Sequence, residues 1–336
     1  MTTVIAGLTP VAGFTYTNSS ANGLDHDHAS EHPRGFAFES GNFFIHLYGK
    51  DGADTWGVIS PGLAVTEPKS GQLSDWVRRV FGASDLKPLV YSVGFAVEWL
   101  WRPGRRDTEH LARADFAQRR AAEQSLYLLI DALNDLLLYI EPEGPGLSAY
   151  SPKTRELLIL ASTEVENTWA HYLGYAGKSP PRGGFSTNDY VALRDPLYLQ
   201  EFQVALTPYA NAPKIRPFYG WDSARPTQSL PWYDAYNKAK HDRSSSLNLA
   251  TLLRCIEAVV ANVVLFCIRF NPGSLFDQTT PVCVLANHLF QLEIVSCDPA
   301  TFYVPFVELT DSAPGNLQCW STEYLVRPRT KIPLTV

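Results

Sequence analysis

The sequence predicts an α+β protein in three parts, a central all-helical bundle flanked by β-rich N- and C-terminal segments. Residues 1–88 are rich in Gly, Pro and Ser and carry short alternating apolar runs such as GFAFESGNFFIHLYG and TWGVISPGLAV, a strand-and-turn pattern. From residue 89 to 271 apolar side chains recur every three or four positions, which is the helical period. Short apolar runs broken by turns return over residues 272–336, in PVCVLANHLFQLEIVSC, TFYVPFVEL and TEYLVRPRTKIPL.

Within the middle part, Leu126, Ile130, Leu133, Leu137 and Ile140 form one helical stripe, ended by Pro142. The next helix lies in SPKTRELLILASTEVENTWAHYLGY, where Ser151 suits the cap and Pro152 the first helical position. Residues 176–231 read as a linker dense in Pro, Gly and Tyr, holding one short helix in STNDYVALRDPLYLQEF with Ser186 or Asn188 as its cap. A helix from about Pro231 to Arg243 follows, then a long apolar helix within LNLATLLRCIEAVVANVVLFCIRF, capped by Ser244, Ser245 or Ser246. Each amphipathic stripe must be buried against another, which is why a bundle is expected.

An apolar content of 45% with 18% charged residues describes a globular chain, and its 336 residues suffice for a sizeable core. The net charge of -6 argues against a broad electropositive face for long nucleic acids and leaves room only for a local basic site. Five cysteines, Cys255, Cys267, Cys283, Cys297 and Cys319, are odd in number and lack CxxC spacing, so they read as thiols in a reducing cytoplasm. The N-terminus has no positively charged leader region, and the apolar run Leu247–Phe270 is interrupted by Arg254, Glu257 and Asn262, so a buried core helix is expected there and no membrane partner. Phosphate-loop, GxSxG, HExxH and dinucleotide fingerprints are absent from the sequence.

The stretch LPWYDAYNKAKHDRSSS concentrates chemistry. On a helix it places Trp232, Tyr233, Tyr236 and Ala239 on one side, and Asp234, Asn237, Lys238 and His241 on another. His241 between cations and a carboxylate suits proton exchange near neutrality, Asn237 one turn away suits orientation, and Lys238, Lys240 and Arg243 suit phosphate. Metal-free cleavage of an RNA backbone needs those parts. The simpler reading is a polar turn in which Lys and His complement the helix C-terminal dipole.

Here the chain resembles the HEPN superfamily of helical bundle proteins, on WYDAYNKAKHDR, the long helix LNLATLLRCIEAVVANVVLF and the earlier helix RELLILASTEVENTW, about half of the chain. The resemblance implies a HEPN-like bundle that pairs as a homodimer and acts as an RNA-directed effector of toxin or phage-defence type, a metal-independent endoribonuclease with an antitoxin or defence partner. His241 and Asn237 would be its catalytic residues, and Lys238, Lys240, Arg243 and Tyr236 its RNA or phosphate contacts. Tyr236, however, stands where active members carry Arg, and Arg243 follows the His instead of preceding it. A phenol supplies no fixed positive charge. The alternative is therefore a catalytically inactive HEPN-like module for dimerisation or for binding RNA, nucleotide or a partner protein. RRDTEH, with Arg105 and His110, matches the motif spacing but lies outside the expected helix.

Two further groups are weighed against plainer readings. LDHDHASEH brings His26, His28 and His32 near Asp25, Asp27 and Glu31, and reads as a polar loop more readily than a zinc or nickel site. Glu164 and His171, two turns apart on the helix from Arg155, could wall a cleft beside Asn237 and His241, but the plainer reading has Glu164, Glu166 and Asn167 solvated and His171 at the helix end. No metal or other cofactor is expected.

Overall fold

The computed structural model describes residues 10–19, 31–50, 59–104, 116–241, 246–307, 316–318 and 330–336. Strands β1 (Gly13–Thr17), β2 (Arg34–Ser40), β3 (Phe43–Gly49) and β4 (Ile59–Pro68) lead into helix α1 (Leu73–Phe81) and strands β5 (Ser84–Pro88) and β6 (Phe95–Val97). Helices α2 (Phe116–Leu137), α3 (Pro152–Tyr175) and α4 (Thr187–Tyr190), strand β7 (Phe202–Leu206), and helices α5 (Pro231–His241), α6 (Leu252–Phe270), α7 (Gly273–Phe276) and α8 (Pro281–Leu289) follow. The chain continues with strands β8 (Phe290–Ile294), β9 (Asn316–Gln318) and β10 (Thr330–Ile332). The described parts of Met1–Glu98, Arg102–Thr108 and Cys297–Ile332 form one compact unit, and those of Trp99–Trp101, Glu109–Ser296 and Pro333–Val336 a second.

The first unit is built on an antiparallel sheet ordered β5-β1-β2-β3-β4-β9. Its central strand β3, FFIHLYG, is buried at every position, because both sheet faces are covered. Phe36, Phe38, Ile45 and Leu47 point to one face, where Phe302, Val304, Phe306 and Val307 lie over them. Ala37, Phe44, Tyr48 and Tyr16 point to the other, under Leu73, Trp76, Val77 and Phe81 of α1. Alternation along a strand sends successive side chains to opposite layers, so the continuous apolar run is two alternating sets superimposed. Gly35 is needed where it stands: a Cβ there would sit 2.3 Å from the Tyr16 ring. The α1 helix lies within the segment read as β-rich; Gly82 closes it in the left-handed conformation.

In the second unit α3 starts as the sequence predicts, with Ser151 and Thr154 forming a reciprocal capping box and Pro152 in the first turn. The cap of α6 differs from expectation. Thr251, not a serine of the 244–246 run, accepts from the Arg254 amide, and the helix begins at Leu252. Cys255 and Asn262 of α6 hydrogen-bond the carbonyls of Thr154 and Ala161 on α3, both pairs 101 residues apart. Equal offsets mean that α3 and α6 run parallel.

That geometry overturns the expected fold class, a central HEPN-like all-helical bundle flanked by β-rich segments. The described chain is a mixed α+β structure without a clear central bundle. Parallel neighbours require a long return connection, and here the return carries α4, three-residue turns, β7 and α5 in place of another long helix. Strand β7 then pairs antiparallel with β8 from beyond α6. The outer segments share one sheet, in which β9 pairs with β4. PVCVLANHL, read as strand, is the helix α8, with Val282, Cys283, Ala286 and Leu289 buried at helical spacing. No helix among the described residues is long and apolar enough to cross a membrane.

Candidate functional site

The aromatic side of α5 is buried as its spacing predicts. Trp232, Tyr233, Tyr236 and Ala239 are all at or below 3% exposure. They pack toward Trp169 of α3, whose ring is stacked on Trp221 at 4.8 Å and neighboured by Tyr190, Phe218, Trp232 and Tyr233. Trp232 donates its indole N–H to the Pro217 carbonyl and Trp221 to that of Pro226, so the large rings bury without leaving those donors unmet. The indole nitrogen of Trp169 is buried without a hydrogen-bond partner among the described residues.

Glu166 of α3 meets the polar atoms at the edge of this core. One carboxylate oxygen accepts from the Tyr233 hydroxyl, the other from the Tyr236 hydroxyl at 3.0 Å. Lys240 donates to the Tyr236 oxygen at 2.8 Å, with its ammonium 5.0 Å from that ring's centre. The result is a relay of carboxylate, phenol and ammonium. Burial, then the Glu166 hydrogen bond, raise the Tyr233 phenol well above its ordinary value. Burial first, with Glu166 and Asp189 adding repulsion, pushes Tyr190 up to about 12. The Tyr236 hydrogen bond, offset by partial burial, raises the Lys240 ammonium.

The predicted site residues divide. Tyr236 is fully buried, its hydroxyl held between Glu166 and Lys240. Lys238 is exposed and pairs with Asp234 at 2.6 Å. Asn237 is half-buried, and His241 is exposed on the last turn. Arg243 lies outside the described residues, as do Arg105 and His110. Arg155 of α3 also arrives here, its Nε donating to the Ala239 carbonyl at 2.9 Å, a cation on the negative end of the helix.

Glu166, Tyr233 and Arg155 are the members that sequence reasoning missed. Tyr233 and Tyr236, three apart, do show one shared face, but nothing in the α3 sequence distinguishes Glu166 from Glu164 beside it. The face of α3 that packs on α5 makes that choice. His171 is exposed, and Glu164 lines a different cleft. Of the histidine-rich stretch, His32 is buried, while His26 and His28 lie outside the described residues. Among the described residues no three His, Cys, Asp or Glu side chains are grouped to hold a metal ion.

Fold and geometry thus define a mixed α+β protein with a carboxylate–phenol–ammonium network under a basic helix end. Comparison of the chain with protein-family models, curated proteins and solved structures returned no match.

Proposed function

We propose that this chain is a non-catalytic binding protein for RNA, engaging phosphates with the exposed end of α5. One observation carries the reading: Tyr236, beneath the basic end of α5, is buried and committed to Glu166 and Lys240. A side chain so held offers neither mobile positive charge nor access to a scissile phosphate. Lys238, Lys240 and His241 remain exposed on one helix end, with Arg155 offsetting the C-terminal dipole beneath them. The overall charge of -6 confines such contact to a local site. We place this activity in the cytoplasm, where buried Cys255, Cys267 and Cys283 remain thiols.

Fluorescence anisotropy with a single-stranded RNA in EDTA, with electrophoresis of the RNA afterwards, tests this. Binding without cleavage is expected, weakened about fivefold or more by Lys238→Ala with His241→Ala. Loss of one phosphate contact lowers the salt slope by about 0.7 for single strands. EDTA-resistant cleavage that vanishes in His241→Ala would establish the ribonuclease reading instead. Absence of binding sinks both RNA readings.

A further inference from the structure

A cleft lies within the second unit among α2, α3 and α6, its enclosed part about 30 Å³ and the rest open to solvent. Leu126, Leu265, Phe266 and Phe270 supply its apolar lining, and Ser125, Glu164, Thr168, Asn262 and Arg269 its polar groups. An enclosed space of that size admits only a very small polar group, with the rest of any ligand in the open part of the cleft.

Among the described residues its two charges have no partners of opposite sign. Arg269 donates from one terminal nitrogen to Gln118 Oε1 at 2.7 Å and to the Tyr175 hydroxyl at 2.8 Å, both neutral acceptors. Its Nε is buried with no hydrogen-bond partner among the described residues. The guanidinium lies 4.9 Å from the centre of the Phe270 ring and 5.5 Å from that of Trp99, which stacks on Tyr175. Among the described residues Glu164 meets the Asn167 amide, at 3.5 Å. A guanidinium fixed by aromatic rings is a preorganised fork for a carboxylate.

Asn262 completes the arrangement. Its Nδ2 donates to the Ala161 and Ala258 carbonyls, both at 2.9 Å, which turns Oδ1, an acceptor only, away from those bonds. The parallel register that joins Ala161 to Asn262 sets Glu164 level with Leu265, one helical turn before Arg269. One turn is about 6 Å along the axis. The cleft therefore carries a positive end and, about a turn away, a negative end, on one apolar floor.

We propose that this cleft binds a small zwitterion, an amino acid or a short amine-bearing carboxylate, with its carboxylate on Arg269 and its ammonium on Glu164 and Asn262. Neither half alone satisfies both ends. The site is separate from the α5 end and does not rest on RNA binding.

The test is titration calorimetry of the full chain with glycine, L-alanine, β-alanine and γ-aminobutyrate, against acetate and methylammonium. At least one zwitterion is expected to bind saturably, tenfold or more tighter than either half. Glu164→Gln and Arg269→Lys should each weaken it at least tenfold while circular dichroism shows an unchanged fold. Glu164→Gln is a conservative change at a half-exposed position, so its result stands even should Arg269→Lys unfold. The proposal is overturned by any of three results: no saturable zwitterion binding, acetate binding equally well, or affinity unchanged in folded Glu164→Gln.

Discussion

Tyr233 and Tyr190 report the environment at the edge of the second unit's aromatic core. Their phenols are raised above the ordinary value of about 10 by burial first and by Glu166 second. The folded state therefore holds these protons more tightly than the unfolded chain. The sign follows from linkage: the stability they contribute is fully present below about pH 10 and is lost as pH rises through the folded values. Ultraviolet titration of tyrosinate should show a late class, with Tyr190 at about 12 and Tyr233 ionising only with unfolding. Tyr190→Phe should remove one titration step from that class. Ionisation of all tyrosines near pH 10 in a chain that stays folded would contradict the burial. Side-chain partners at this site were only partly visible in the primary structure. The face shared by Tyr233 and Tyr236 follows from helical spacing, but Glu166 joins them from 67 positions away through packing.

At the scale of elements, helix boundaries follow local chemistry closely when a cap competes with nothing else. Ser151 and Pro152 start α3 as expected. At α6 three serines offered themselves, yet Thr251 takes the role after a three-residue turn at Leu247–Leu249. The Leu252 amide bonds the Ala149 carbonyl, so a contact distant in sequence fixes where the helix begins. Thr251→Ala should cost about 1 kcal/mol, the usual worth of such a cap. Ser244→Ala removes no cap of α6 and should leave stability within about 0.5 kcal/mol. Chemical denaturation of both variants checks the pair; equal losses would mean that the cap is misplaced. The same competition explains α8: its apolar residues satisfy both short-strand and helix patterns, and period alone does not separate the two.

At the scale of the whole molecule, the first unit draws most of its sheet from the early part of the chain and the cover of one face from the late part. Phe302 lies 6.1 Å from Phe36 and Phe306 5.9 Å from Phe38, ring centre to ring centre. Removing those rings leaves sheet residues unpacked. Phe302→Ala should destabilise the first unit by about 3–5 kcal/mol, the usual cost of deleting a buried aromatic side chain. Truncation after Ser296 should expose the same face and raise binding of a hydrophobic dye. A truncated chain as stable and as dye-inert as the full one would refute this account of the cover.

Local periodicity, capping residues and turn formers specify the helices α2, α3, α5 and α6, the hairpin β2–β3 and the buried aromatic side of α5, because those features depend on neighbours within about one or two turns or a strand pair. Composition likewise marks a globular chain without a long basic surface. The parallel pairing of α3 with α6, the union of both chain ends in one sheet, the selection of Glu166 for Tyr233 and Tyr236, and the meeting of Glu164, Asn262 and Arg269 in one cleft arise from contacts between distant residues. Such contacts reflect complementary shape and the need to satisfy buried polar groups across the fold, and neither quantity is written in the spacing of adjacent residues.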